Sequence, residues 1–190
     1  MIEINSLEKF ILTDKTAVTL GKFDGLHLGH MKLIKKLIEE AADLNLKTLV
    51  FTFTQNPKEV LVDQKDKRII TEDKKKEILK ELGIDYYICI PFTKEFSLME
   101  PEQFIKKILM EKLNAGLIAT GDDFCFGHNR SGNPEVLKSL SEKYGFKYVM
   151  VKKELYKGDG ISSTRIREDL KEGRFSEAEK MLGRDVNNFT

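Results

Sequence analysis

Cysteine is scarce in this chain of 190 residues, and the two that are present, Cys89 and Cys125, stand alone. Neither belongs to a C-x-x-C pair or has a histidine at zinc-finger spacing, which excludes the common zinc and dithiol motifs. Free thiols are typical of a reducing compartment and favour a cytoplasmic location. No apolar run approaches the roughly 20 residues of a membrane-spanning helix, and residues 1–10 lack the basic and apolar regions of a signal peptide.

An excess of charge of one sign is also missing. Charged residues make up 33% of the chain, yet the net charge is +1. This balance argues against a broad surface for nucleic acid, so neither nucleic acid nor a membrane is expected as a partner. The basic run Lys74–Lys76 is interpreted as the solvent-exposed face of a helix. The length predicts a single domain, with a core at about 16–160 and a C-terminal helical segment at about 162–184.

Apolar runs of strand length alternate with segments of helical periodicity. The predicted strands are Thr16–Leu20, Thr48–Phe53, Tyr86–Ile90, Leu117–Thr120 and Phe146–Val151. This alternation predicts an α/β fold, a Rossmann-like doubly wound sheet of five parallel strands in the order 3-2-1-4-5 with C-terminal helices. The loops after strands one and four would then face each other where ligands bind. Thr54–Ile70 is interpreted as a long loop, and Ser176 with Glu179 as the capping box of the last helix.

The stretch Gly21–His30, with the pattern Gly-x-Phe-Asp-Gly-x-His-x-Gly-His, joins the first predicted strand to the first helix. It lacks the Gly-Lys-Ser/Thr of a P-loop and the G-x-G-x-x-G of a dinucleotide site. Two imidazoles, His27 and His30, lie at the helix start, where free N–H groups and the helix dipole favour an anion. Because Ser, Thr, Asp or Asn would cap better, the stretch predicts phosphate chemistry. The alternative is that both histidines only cap and pack.

A second candidate phosphate site lies at Ile161–Arg167, with the pattern Ile-Ser-Ser-Thr-x-x-Arg. Three consecutive hydroxyls at a helix start can bind phosphate oxygens together with the free N–H groups. The planar guanidinium of Arg167 can hold two oxygens at once. The alternative is an ordinary helix cap followed by a solvent-exposed arginine.

Together these two motifs resemble the nucleotidylyltransferase superfamily. The stretch Gly121–Gly127 (Gly-Asp-Asp-Phe-Cys-Phe-Gly) and the following Arg-Ser-Gly narrow the resemblance to the FMN adenylyltransferase module of bacterial bifunctional riboflavin kinase/FAD synthetases. The ending Leu-Gly-Arg184 resembles the junction before the kinase domain in that family. The chain departs from the family pattern at Thr52–Pro57, which keeps only the last proline of a Pro-His-Pro-like stretch. It also departs at Cys125, where relatives commonly have arginine or threonine.

The resemblance implies one nucleotidylyltransferase domain that transfers AMP from ATP to FMN, giving FAD and pyrophosphate by direct in-line attack of the FMN phosphate. It implies ATP and FMN as substrates and Mg²⁺ held mainly by the ATP phosphates, with no protein residue assigned as a metal ligand. A riboflavin kinase barrel would need many more residues beyond Gly183, so no kinase domain is expected in this chain. Two alternatives stay open: a stand-alone enzyme, or part of a longer native chain that carries the kinase domain.

The resemblance also implies roles for individual residues. His27, His30 and Arg167 would be catalytic. The implied ATP-binding residues are Gly21, Lys22, Phe23, Asp24, Gly25, His27, His30, Gly121, Ser162, Ser163, Thr164 and Arg167. The implied flavin-binding residues are Asn56, Asp123, Phe124, Phe126 and Arg130. Phe124 and Phe126 are equally interpretable as core anchors, and Asp123 as a turn cap. Two other functions stay open: a His-x-Gly-His transferase acting on pantetheine phosphate or glycerol phosphate, and a non-catalytic module that binds flavin or ATP.

Overall fold

The computed structural model describes residues 1–8, 10–54 and 68–186, and over these residues the chain forms a parallel sheet flanked by helices. The strands are β1 (Ile2–Ile4), β2 (Thr16–Leu20), β3 (Lys47–Phe53), β4 (Tyr86–Ile90), β5 (Ala115–Gly121) and β6 (Lys147–Val151). They form a six-stranded sheet in the order β1-β4-β3-β2-β5-β6, with every neighbouring pair parallel. A short antiparallel pair, β7 (Leu155–Tyr156) and β8 (Asp159–Gly160), is separate from it.

The predicted α/β fold class is confirmed, and the five predicted strands follow one another in the sheet as β4-β3-β2-β5-β6. The predicted number of strands is wrong, because β1 adds a sixth at the edge beside β4. Strand β1 has only three residues, of which Ile2 and Glu3 are exposed. The alternation Ile-Glu-Ile is too short to predict a strand, and its pairing with β4 is what makes it one.

The helices are α1 (Leu28–Asp43), α2 (Glu72–Glu81), α3 (Lys94–Ser97), α4 (Pro101–Gln103, continued by a π-helical segment, Phe104–Met110), α5 (Pro134–Tyr144), α6 (Ser163–Lys171) and α7 (Phe175–Leu182). Within the described ranges, no helix combines the length and apolar character needed to cross a membrane. The predicted capping box is wrong. Helix α7 begins at Phe175 after Arg174, so Ser176 lies inside it, and the Glu179 carboxylate accepts the Val186 N–H at 3.2 Å instead.

The sheet is buried on both faces, as parallel sheets usually are. Successive strand residues alternate between two apolar clusters: Ala17 and Val50 face one, and Val18 and Phe51 face the other. The first cluster is covered by α1, α2, α6 and α7, and the second by α5 and the π-helical segment. Helices on both faces leave the carboxyl ends of the strands open, and there the loops carry the unusual residues.

The basic run on α2 does not form one exposed face. Lys75 is 6% exposed, and its Nζ lies 3.1 Å from the Glu72 carboxylate. Lys74 and Lys76 instead pair at the surface, with Glu77 and Glu3 respectively. Consecutive helical residues point about 100° apart, so three lysines in a row cannot share a face. The interpretation of the run as wholly solvent-exposed is therefore wrong at Lys75.

Candidate active site

The chain leaves β2 through a turn whose backbone is held in unusual conformations. Phe23 and Leu26 have φ angles of 50° and 40°, and Gly25 between them has a φ of 79°. Left-handed backbone is unfavourable for bulky residues and persists only where the surroundings hold it. Phe23 and Leu26 are fully buried, and a Cβ on Gly25 would lie 3.1 Å from Ile69. Packing therefore fixes the turn, which ends at the first histidine.

The two predicted histidines stack at the start of α1. Their ring centroids are 3.6 Å apart with the planes 17° from parallel. The Nδ1 of His27 caps the helix by accepting the His30 N–H at 3.3 Å. A Cβ on Gly29 would lie 3.2 Å from the His27 ring, so glycine leaves room for the stack. His27 thus caps, as the alternative of capping and packing expects, and His30 packs against it. The Nδ1 of His30 is buried without a hydrogen-bond partner among the described residues.

Both imidazoles are held in their neutral form. Burial lowers the pKa of His27 to about 4, with Arg184 lowering it further and Asp24 and Asp123 opposing the shift. Burial also lowers the pKa of His30 well below its usual range, with further lowering from His27, Lys75 and Arg184. Since Nδ1 of a neutral His27 accepts a hydrogen bond, its proton lies on Nε2. The pair therefore offers N–H donors at neutral pH without the cost of a buried imidazolium.

The lowered pKa of His27 predicts acid sensitivity. The unfolded chain, with an ordinary histidine pKa of 6.5, binds more protons than the folded chain between pH 6.5 and about 4. Folding stability from His27 is therefore complete above that window and falls as the pH drops through it. The expected loss between pH 7 and pH 5 is on the order of 2 kcal/mol, measurable by urea unfolding. His27→Asn keeps a good capping group without the titration, so its pH dependence should be weaker than that of the wild type. Equal dependence would contradict this account.

Asp24 joins the turn to the second predicted motif. Its carboxylate, 3% exposed as a residue, binds the Arg167 guanidinium at 2.6 Å and accepts the Ile69 N–H at 3.0 Å. Its carbonyl accepts the Ser163 hydroxyl at 2.9 Å. The histidine motif and the start of α6 thus lie together although about 140 residues separate them.

The hydroxyls at the start of α6 have different surroundings. Ser162 caps the helix by accepting the Arg165 N–H at 3.3 Å, and Ser163 binds the carbonyl of the turn. Thr164 is exposed. The ordinary-cap alternative therefore describes Ser162, whereas Arg167 is an ion-pair partner of the turn and not a solvent-exposed arginine.

The loop after β5 approaches the histidines, as expected from the strand order. Asp123 lies close enough for its charge to raise the pKa of His27 against the effect of burial. Its carboxylate also pairs with Lys153 Nζ at 2.9 Å on an exposed surface. A Cβ on Gly121 would lie 3.2 Å from the Asp123 carboxylate. Strands β2 and β5 therefore bring their loops to one edge of the sheet.

The candidate flavin-binding residues have different surroundings in the structure. Phe126 is buried in the second apolar cluster, which favours the core-anchor alternative for it, while Phe124 is half-buried and stacks on it at 5.6 Å. Arg130 is exposed in a short 3-10 turn. Asn56 lies outside the described residues, as does most of the predicted long loop. These four residues therefore do not form one described cluster.

A chain of phenylalanine rings extends from Phe126 along the carboxyl edge of the sheet. Phe126 contacts Phe104 at 5.9 Å, Phe104 contacts Phe96 at 5.7 Å, and Phe96 contacts Phe53 at 5.1 Å. Phe53 in turn contacts Phe92 at 5.0 Å. Phe53, Phe92 and Phe96 are half-buried, and sequence reasoning missed them. Phe53 and Phe92 lie at or just beyond the carboxyl end of a predicted strand, whereas Phe96 lies in α3 and had no such signal.

Two cations near the histidines, buried Lys75 and half-buried Arg184, were also missed. Lys75 and Arg184 both lower the pKa of His30, and Arg184 donates hydrogen bonds to the carbonyls of Gly25 and Leu26. Sequence spacing gives no signal for either residue, because both come from elements distant in sequence from the turn.

In the parts of the chain that the structure describes, no group of three or more His, Cys, Asp or Glu side chains is arranged to hold a metal ion.

Comparison with known proteins identifies relatives along most of the chain. The family model for FAD synthetase matches residues 11–165. A bifunctional riboflavin kinase/FMN adenylyltransferase from Buchnera aphidicola subsp. Schizaphis graminum is 40% identical over 183 residues, which cover 95% of this chain and 58% of that protein. The protein of the same name from Escherichia coli K12 is 34% identical over 167 residues, covering 87% and 53%. The chain thus spans about half the length of the curated relatives it matches.

Solved structures support the fold. A Streptococcus pneumoniae protein, described as a macrolide-efflux protein, superposes with a TM-score of 0.85 at 27% identity, covering 96% of this chain and 60% of that one. Pantoate-beta-alanine ligase from Francisella tularensis superposes with a TM-score of 0.55 at 16% identity, covering 95% of this chain and 86% of that one, and shows the fold alone. Because the FAD synthetase model matches residues 11–165, which is most of the chain, this chain belongs to the FAD synthetase family.

Proposed function

We propose that the chain is an FMN adenylyltransferase that converts FMN and ATP to FAD and pyrophosphate. The observation that carries the proposal is the stacked, neutral histidine pair at the start of α1, joined through Asp24 to Ser163 and Arg167 at the start of α6. Two helix starts meet at one turn, and such starts favour bound phosphate. The family membership and the names of the relatives agree with this chemistry.

The reaction requires positioning more than proton transfer. An oxygen of the FMN phosphate attacks the α-phosphorus of ATP, a new P–O bond forms, and the bond to the leaving pyrophosphate breaks. The FMN phosphate is already anionic near neutral pH, so no general base is needed. Two anions must approach each other while charge builds on the bridging and leaving oxygens. N–H donors fixed before the reaction supply that stabilisation, and the neutral imidazoles are such donors.

The assigned roles follow from the contacts of each residue. His27 and His30 would donate to the triphosphate from the start of α1. Ser163 and Arg167 bind Asp24, so their contribution to ATP binding includes holding the turn that carries the histidines. Thr164, exposed on the first turn of α6, would contact the β- and γ-phosphates.

Magnesium would reach the site bound to ATP. The Asp24 carboxylate is already engaged by Arg167 and the Ile69 N–H, so this turn offers no carboxylate cage. Mg²⁺ commonly keeps water and phosphate ligands, and such an ion would neutralise part of the triphosphate charge. The residues present therefore fit an ion carried by the substrate, and none is assigned as its ligand.

The flavin would lie on the aromatic edge of the sheet, where half-buried rings such as Phe53, Phe92 and Phe124 can pack against a planar heterocycle. Asp123 faces the histidines from the same edge, whereas Asn56 and Arg130 stay predictions.

The names of the relatives also favour a riboflavin kinase domain as partner in a longer native chain. Such an enzyme of flavin metabolism would work in the cytoplasm.

The test is product formation by the purified chain with Mg-ATP and one acceptor at a time. We expect FAD from FMN, with pyrophosphate released in equal amount, and no FAD from riboflavin. Pyrophosphate release with pantetheine phosphate or glycerol phosphate in place of FMN would instead favour another transferase. Tight FAD binding without turnover would favour a non-catalytic binding module.

A further inference from the structure

We infer that Arg184 is a positioning residue: it holds the turn that carries His27 and His30, and so ties the end of the C-terminal helical segment to adenylyl transfer. The part of this inference that concerns the reaction rests on the proposed function. The part that concerns the histidines is independent of the proposed function, because the histidine pKa values can be measured in the protein without substrates.

The first observation is that the end of α7 packs against the histidine turn. Gly183, with a φ of 70°, turns the chain out of the helix. A Cβ at Gly183 would lie 2.5 Å from the Leu28 side chain at the start of α1. A Cβ at Gly25 would lie 3.3 Å from Leu182. Leu28 and Leu182 would have to shift to admit these Cβ atoms, so the two segments are in close contact.

The second observation is the set of acceptors that Arg184 binds. Its Nη2 donates to the carbonyls of Gly25 and Leu26, the two consecutive left-handed residues directly before His27. Carbonyls of a strained turn point where no regular secondary structure pairs them. A single guanidinium nitrogen that binds both oxygens fixes their relative direction, and with it the direction in which the chain enters α1.

The third observation concerns charge. The groups that act on the pKa of His27 are Asp24, Asp123 and Arg184. Those that act on the pKa of His30 are His27, Lys75 and Arg184. Of the charged groups named here, Arg184 is the one from the C-terminal segment, and it lowers the pKa of both histidines. Its Nε is buried without a hydrogen-bond partner among the described residues, which costs free energy of desolvation.

Together these contacts make the turn depend on a residue that lies about 160 positions later in the chain. A displacement of the segment around Arg184 would release the carbonyls of Gly25 and Leu26. The turn would then lose a support for its left-handed backbone, and the stacked rings would lose their fixed direction.

The kinetic test compares Arg184→Ala, Arg184→Lys and the control Arg174→Ala. Arg174 lies on the same segment but pairs with Asp169 and Glu172, away from the turn. We expect Arg184→Ala to lower kcat for FAD formation by about 10- to 100-fold, as small misplacements of reacting groups do, with the KM for ATP changed less than about threefold. Arg184→Lys should recover most of the loss, and Arg174→Ala should show none. An unchanged kcat in Arg184→Ala, or an equal loss in the control, would overturn the inference.

The second test follows the histidine rings by NMR in the substrate-free protein. The chain has three histidines, so His128 serves as an internal control. Arg184→Ala removes a positive charge and should raise the pKa of His27 and His30, while the ring resonances of His128 keep their wild-type chemical shifts. If the wild type makes no FAD, the proposed function fails, and this titration still decides the positioning role. Unshifted histidines would refute that role. If Arg184→Ala does not fold, the same comparison is made with Arg184→Gln, which lacks the charge but keeps an N–H donor.

Discussion

His30→Ala is expected to lower kcat for FAD formation by about 100-fold, the usual cost of removing one well-placed transition-state donor. The His30 ring caps nothing, and its Nδ1 is buried without a partner in the described part of the chain. Among the described residues, the ring stacks on His27 at 3.6 Å and lies 5.2 Å from the Phe23 ring. We therefore expect the His30 ring to contribute more to ligand binding than to folding stability.

Stability should change little in the same variant. Losing the ring contacts costs about 1 kcal/mol, and alanine has the highest helix propensity, which offsets part of that loss. Steady-state kinetics and urea unfolding on one preparation separate the two effects. His128→Ala is the matched control, because His128 lies in a surface turn and pairs with Glu100 at 3.4 Å. If His30→Ala retains wild-type kcat, His30 does not take part in the reaction.

Sequence alone could place the histidines because their signal is local. A buried run ends at Leu20, helical periodicity begins near Gly29, and two imidazoles lie where a capping hydroxyl is usual. The strand order then predicted that the loop at Asp123 would come near them. Both steps use short-range patterns and the few topologies open to alternating strands and helices.

The rest depends on contacts that no local pattern encodes. Asp24 reaches Arg167 across 143 positions, and Arg184 reaches Gly25 across 159, so neither partner is visible from spacing. Lys75 looks like its neighbours in sequence, and only the rotation of α2 against the sheet buries it. Strand β1 becomes a strand only because β4 offers an unpaired edge. In each case tertiary packing decides what the local sequence leaves open.

Asp24→Ala is expected to lower the unfolding free energy by about 3 kcal/mol and to abolish measurable FAD formation. Removing one partner of a buried ion pair takes away compensation from the other charge, at a cost of about 3–5 kcal/mol where the pair is the main compensation. The Arg167 side chain keeps 18% of its surface in solvent, which places the loss at the low end of that range. The Ile69 N–H also loses its acceptor. Urea unfolding gives the first quantity and FAD formation the second.

The double variant Asp24→Ala/Arg167→Met separates stability from positioning. Replacing both partners of a buried pair by apolar groups is often close to neutral, so it should regain much of the lost stability. FAD formation should stay low, because the turn loses its ion pair with α6 and keeps the Ser163 hydrogen bond to the carbonyl of residue 24, while ATP loses the Arg167 guanidinium. Lys143→Ala, which breaks the exposed pair with Glu102, is the control and should change neither property. A double variant with full activity would show that the Asp24–Arg167 pair serves the fold and not the reaction.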